Sequence, residues 1–272
     1  MSRNTWTNEK LFERLLNNQS TRTYWDNVKE LCTRPEKKVF KRCTALVKSK
    51  LPRERRIGID VLSQLGGAER PFEAQTLSLY LRILPAEKDV KVLQSLLHAI
   101  GHNNKGLDNE GIEALSYLIR HSYTIIRYAL VFALKGVDKP GAIDILIALS
   151  ADKDTDIRDW ATFALGSQIT RNNKAIRDAL WARVNDPDED TRLEAIAGLA
   201  TRKDPRINAV IRKELLTGEA GTLLFEAIVE LGGQEFLPDL QELQQKSAND
   251  ETIHPAWHSK LGEVIEALLS PA

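Results

Sequence analysis

Asp156-Ile157-Arg158-Asp159-Trp160-Ala161-Thr162-Phe163-Ala164-Leu165-Gly166 decides the fold, because the chain repeats its pattern. Asp190-Thr191-Arg192-Leu193-Glu194-Ala195-Ile196-Ala197-Gly198-Leu199-Ala200 is a second copy. Ile126-Arg127 leads to Leu130, Ala133 and Leu134 at matching offsets, and Arg55 leads to Gly58, Val61 and Leu62. Val90-Lys91 followed by Leu97, and Leu223-Leu224 followed by Ala227, Leu231 and Gly232, are weaker copies. With the Arg or its substitute as marker, the copies stand at 55, 91, 127, 158, 192 and 224, in steps of 36, 36, 31, 34 and 32 residues. A period of that size marks stacked supersecondary units.

Each unit reads as two helices, since apolar residues recur at three and four in both halves, as in Ile143, Leu146, Ile147 and Ile157, Ala161, Ala164, Leu165. The separators are Pro140-Gly141, Asp152 to Asp154, Asp186-Pro187-Asp188 and Asp204-Pro205. Pro fits a first helical turn and Asp accepts its free amides, so these links read as helix starts. The predicted hairpins pair 36–49 with 53–66, 71–84 with 89–101, 109–120 with 123–136, 140–150 with 155–169, 172–184 with 189–200, and 205–216 with 220–232. Residues 7–17, 22–33, 235–246 and 256–269 supply end helices, and 103–108 reads as a polar, flexible link. The fold class is all-α: a right-handed α-solenoid of six to seven helical hairpins, an α-α superhelix. One domain is expected over 1–272, with an N-terminal cap at 1–35, repeats at 36–246 and a C-terminal cap at 247–272.

The Ile157-Arg158 pattern with Ala161, Ala164, Leu165 and Gly166, echoed at Arg127 and Arg192, resembles the HEAT-repeat superfamily, in particular the bacterial HEAT-like repeats also found in phycobilin lyases. The stretch from Arg192 to Asp204 is similar to enterobacterial HEAT-repeat proteins encoded near large polymorphic-toxin genes. The resemblance implies a protein-binding scaffold, with a toxin-immunity or toxin-associated role as its finer form. Fold alone transfers no ligand. A structural or assembly adaptor and a nucleic-acid-associated repeat protein are the alternatives.

No phosphate loop, nucleophile elbow or zinc-protease pair occurs, so no enzyme, catalytic residue, metal or cofactor is expected. His98 with His102, and His254 with His258, lack a nearby third ligand and read as solvent-facing or helix-end residues. Cys32 and Cys43 cannot frame a disulfide scaffold, no apolar run reaches membrane length, and the start at Met1-Ser2-Arg3 leads to the expectation of no secretion signal and a cytoplasmic setting. Lys plus Arg, at 38, balances Asp plus Glu, at 38. Residues 1–70 nevertheless carry 16 basic and 8 acidic groups, and the remainder 22 and 30. The acidic excess argues against a DNA-repair glycosylase using Trp160 and Trp181, and makes nucleic acid an unfavoured partner.

Lys37, Lys38, Lys41, Arg42, Arg53, Arg55 and Arg56 form a candidate basic patch for an acidic protein. Asp156, Asp190, Arg127, Arg158 and Arg192 read as structural, tying one repeat's cap to the next repeat's Arg. Transferring the phase of the 156–166 helix along the repeats puts Val92, Leu96, Tyr128, Phe132, Asp159, Phe163, Leu193 and Phe225 on an outward row. If second helices line the inner curve, as the resemblance implies, that row is an apolar concave face for a protein partner, a toxin domain among the candidates.

Overall fold

The computed structural model describes residues 3–217 and 220–270. They form sixteen α-helices, paired in sequence order. The N-terminal pair is α1 (Asn8–Asn17) with α2 (Thr21–Cys32). The repeats follow as α3 (Lys37–Val47) with α4 (Pro52–Ser63), α5 (Glu73–Ile83) with α6 (Val90–His102), and α7 (Asn109–Glu113) with α8 (Thr124–Leu134). Next come α9 (Pro140–Leu149) with α10 (Thr155–Phe163), α11 (Lys174–Trp181) with α12 (Glu189–Thr201), and α13 (Asn208–Leu216) with α14 (Thr222–Leu231). The last pair is α15 (Leu237–Ser247) with α16 (Pro255–Leu269). The chain is an all-α solenoid of stacked helical hairpins. It divides into two compact units, Met1–Ile145 and Leu146–Ala272, where the sequence reading expects a single domain.

The helices begin where the sequence supplies acceptors. Asp89, Asp154 and Asp188 cap α6, α10 and α12 by accepting first-turn amides, and Pro52, Pro140 and Pro255 open α4, α9 and α16. Two predicted helices are shorter than expected. Residues 109–120 split into α7 and a 3-10 turn at Ser116–Arg120, and the end of the 155–169 segment widens into a π turn at Ala164–Gln168. At that turn Gly166 meets Gly198 of α12 so closely that a Cβ on Gly198 would lie 2.6 Å from the Gly166 Cα. Only glycine allows this approach of two second helices.

Asn103-Asn104-Lys105-Gly106-Leu107-Asp108 is not the flexible link that its polarity predicts. Asn103 is buried, and its Nδ2 donates to Ser63 O at 3.0 Å and Ala99 O at 2.7 Å. Asn104 Nδ2 donates to Ala133 O and Lys135 O, and Asp108 caps α7. The polar side chains satisfy helix-end carbonyls that burial would otherwise leave unpaired. Arg202 does the same in the second unit, where its buried guanidinium donates to Leu165 O, Gly166 O, Gly198 O and Ile169 O.

Candidate interaction face

The marker arginines tie neighbouring repeats together. Arg55 forms two hydrogen bonds to Glu87, at 2.7 and 2.8 Å, and Arg158 does the same to Asp186 at 3.0 and 2.9 Å. Each also donates Nη1 to carbonyls six and five residues earlier: Ser49 and Lys50 for Arg55, Asp152 and Lys153 for Arg158. Arg192 repeats the carbonyl pair with Asp186 and Pro187 and lies 3.6 Å from Glu214, and Arg127 donates to His121 O. Helical side chains lean toward the N-terminus, which brings a fourth-position Arg back over its own entry loop.

The acidic partner differs from the expected one. Asp156 and Asp190 stay exposed in the first turns of α10 and α12, where a negative charge complements the helix dipole. The acceptor is instead the acid two residues before a cap: Glu87 before Asp89, and Asp186 before Asp188. Glu87 also accepts from the amides of Lys88 and Asp89, and Asp186 from that of Asp188. The arginine partner and these amides hold both carboxyls below the usual range, against the opposing effect of burial.

Counting from the N-caps corrects the outward row. Arg55, Arg127, Arg158 and Arg192 lie four residues after Leu51, Tyr123, Asp154 and Asp188. Lys91 lies only two after Asp89, and Leu224 three after Gly221, so neither is a true marker. Val92 and Leu96 therefore belong to the core row of α6, and Phe225 takes the marker position of α14. All three are fully buried, which removes them from the proposed face. Tyr128, Phe132, Asp159, Phe163 and Leu193 keep their places and are half-buried.

In cap register the row five and nine residues after each cap reads Arg56 and Asp60 on α4, Gln94 and His98 on α6, and Tyr128 and Phe132 on α8. In the second unit the same register positions hold Asp159 and Phe163, Leu193 and Ala197, and Glu226 and Glu230. Every member except Asp60 reaches the surface. Gln94, His98, Glu226 and Glu230 were missed because the row was transferred from arginine-like markers; the Asp89 cap was the signal that could have found the first two.

The two units dress this row differently. In the first, Phe132 packs on His98 and His102, with ring centroids 4.9 and 5.3 Å apart, and Lys135 Nζ lies 4.8 Å from its centroid. Burial pushes both imidazoles below the ordinary histidine range, and for His102 the nearby Arg70 adds to it. In the second, exposed Trp160 sets its edge against Phe163 at 5.6 Å. Burial, then the charges of Asp190, Asp188 and Asp156, raise Asp159 to about 6. Burial, then Asp159, raise Glu194 to about 7, against a hydrogen bond from Ser167. Trp181 lies under the Arg206 guanidinium.

The seven-residue basic patch also separates. Lys37, Lys38, Lys41 and Arg42 are exposed on α3, but Lys38 and Arg42 share a groove with Glu9, Glu13 and Glu54. Arg53 donates to Leu15 O and Asn18 O, Arg55 is committed to Glu87, and Arg56 lies over the Tyr24 ring. Cys43 is buried and Cys32 half-buried; both are free, and burial pushes the Cys32 thiol up to about 12. His254 caps α16. Among the described residues no group of three or more His, Cys, Asp or Glu could hold a metal ion, and no helix is long and apolar enough to cross a membrane.

Comparison with known proteins agrees with this architecture. Residues 112–199 match the family of HEAT repeats. Over 133 residues the chain is 35% identical to Protein YibA of Escherichia coli strain K12, and equally to that of strain O157:H7. That match covers 49% of this chain, and the chain spans about half the length of those curated relatives, 47%. The X-ray structure of the E. coli YibA protein superposes with a TM-score of 0.77 at 24% identity, covering 98% of this chain and 94% of the other. A designed armadillo repeat protein in complex with peptide (KR)4 gives a TM-score of 0.50 at 19% identity, covering 84% of this chain and 99% of the other. The chain thus has the all-α solenoid fold of stacked helical hairpins that HEAT and armadillo repeat proteins share, and over about half of its length it is similar in sequence to E. coli YibA.

Proposed function

We propose that the chain is a protein-binding scaffold that holds its partner through the outward second-helix face of each unit. The half-exposed aromatic at one repeat position in each unit, Phe132 and Phe163, carries this reading. Rigid aromatics on a repeated surface offer large contact area at little entropic cost, and such residues dominate interface energetics. Glu194 and Asp159, half-buried carboxylates with no arginine or lysine in hydrogen-bonding contact among the described residues, suit a basic stretch of that partner beside Trp160. The designed armadillo protein of similar fold is itself described with a basic peptide, (KR)4.

A toxin-neutralising or toxin-associated role is the finer form of this reading and rests on the sequence resemblance alone. A cytoplasmic setting, with both cysteines as thiols, belongs to the same proposal. Affinity capture from the native cell should be run in parallel with wild-type protein, Phe163→Ala and Trp160→Ala. A true partner should bind the variants about thirtyfold more weakly, the effect of losing an interface aromatic worth about 2 kcal/mol. A partner held equally by all three proteins rules out this face.

A further inference from the structure

A pocket of about 340 Å³ opens at the start of the first unit, where the N-terminal turns of α2, α4 and α6 converge. Three cations line it, Arg53, Arg56 and Lys91, against one carboxylate, Asp89. Asp89 is already engaged, since its Oδ1 accepts from the amides of Lys91 and Val92 at 3.0 Å each. Arg56 has one acid nearby, Asp60 at 3.9 Å, which is buried and takes the Tyr24 hydroxyl at 2.5 Å. The Arg56 Nε is a buried donor with no hydrogen-bond acceptor among the described residues. Lys91, displaced from the marker position by two residues, forms no ion pair among the described residues and is exposed. Arg53 is held at the mouth by the Leu15 and Asn18 carbonyls. One wall is Tyr24 with Trp25, whose rings meet edge-on at 5.2 Å, and Trp25 is 52% exposed.

We propose that this pocket receives a carboxylate side chain from an acidic peptide segment of the partner, with Lys91 and Arg56 meeting the charge and Trp25 covering its aliphatic stem. The surplus of cations supplies the sign of the ligand, and the first-turn residues Thr21, Pro52 and Lys91 of α2, α4 and α6 in the lining put positive helix ends beside it. The aromatic wall favours a carboxylate on a hydrocarbon stem over a bare inorganic anion, which has nothing to lay against it. The exposed lysines of α3 do not line the pocket, so the charge is local to a cavity and does not form the stripe that a nucleic-acid backbone would need. This inference rests on the protein-binding reading but concerns a different surface from Phe163.

The test is titration of the full chain with a capped hexaglutamate peptide by fluorescence anisotropy, at low and at physiological salt. Binding should weaken with salt, and Lys91→Glu should weaken it about tenfold while the helical circular dichroism is unchanged. Trp25→Ala should weaken it at least threefold without altering the salt dependence. Lys38→Glu, a charge reversal outside the pocket, should change it less than twofold. Equal losses from Lys38→Glu and Lys91→Glu, or none from Lys91→Glu, overturn the pocket. Displacement of the peptide by millimolar inorganic phosphate, or by random duplex DNA at physiological salt, overturns the choice of a peptide carboxylate. Phe163→Ala lies outside this pocket and should leave hexaglutamate binding intact, so the failure of either reading is visible without the other.

Discussion

Phe132 and Phe163 stand nine residues after their helix caps, one in each compact unit, and their neighbours give them opposite chemistry. Around Phe132 are His98, His102 and the Lys135 ammonium. Phe163 meets the Trp160 ring, and Asp159, one turn before it on α10, lies within electrostatic reach of Glu194 on α12. The repeat fixes where the ring stands, and the residues on the adjoining repeat decide what it can attract. A half-buried histidine pair held neutral is compatible with an apolar or acidic contact. A half-buried carboxylate pair held partly protonated is an unpaid desolvation cost that a basic partner would offset.

The largest effects should separate this row from the core beneath it. Phe225→Ala should cost about 3–5 kcal/mol in urea unfolding, because its ring is fully buried. A loss below 1 kcal/mol would restore Phe225 to the surface row and undo the cap-based register. Arg158→Ala should cost about 2 kcal/mol, because Asp186, whose side chain is 2% exposed, loses its two-bond partner and keeps only Arg183 at 3.2 Å and the Asp188 amide. Arg192→Ala, at 3.6 Å from its acid, should cost nearer 1 kcal/mol. Equal losses would show that the carbonyl contacts, common to both arginines, carry the tie.

Phe132→Ala and Phe163→Ala come next, at about 1–2 kcal/mol each, less than a full core deletion because both rings keep solvent contact. If Phe163→Ala costs as much as Phe225→Ala, the second unit has no docking row and the contrast between the units disappears.

The smallest effect is the most diagnostic, because it has opposite signs in the two regions. Glu194 and Asp159 have folded pKa values near 7 and near 6, above their unfolded values of about 4. The folded state then binds protons more tightly, so their contribution to stability improves as pH falls from about 7 toward 4. Glu194→Gln should therefore raise the melting temperature at pH 7.5 by about 2 °C, a gain that vanishes near pH 5. His98 and His102 titrate below their unfolded value of about 6.5, so their contribution is present above that pH and is lost as pH falls. His98→Leu should be relatively more stable at pH 5 than at pH 7.5. Asp60, raised to about 6 by burial, opposes the histidines within the first unit, so variant pairs are needed in place of the whole-protein slope. Identical pH trends for the two variants would mean that the faces do not differ in charge.

The amino-acid sequence by itself determined the helices, their pairing and the repeat, because these depend on local properties. A three-and-four apolar period, an Asp that accepts first-turn amides and a Pro that opens a helix act within one or two turns, and they put the starts of α3 to α16 within a few residues of where the pattern expects them, while α7 and α10 end six or seven residues early. Arg127, Arg158 and Arg192 were legible as structural because a residue copied from repeat to repeat answers a need that recurs with the repeat, whereas Arg55, read as part of the basic patch, shows its tie to Glu87 only in the fold. Tertiary structure decided which acid each arginine meets, since Glu87 and Asp186 come within reach only when the next hairpin is stacked. It also decided which side chains of the second helices face outward. A shift of one or two positions in the cap turns a helix by about 100–200°, enough to move Val92, Leu96 and Phe225 from the surface to the core while leaving the periodicity unchanged. Periodicity specifies that a helix has a buried face; only packing against the neighbouring helices fixes which residues occupy it.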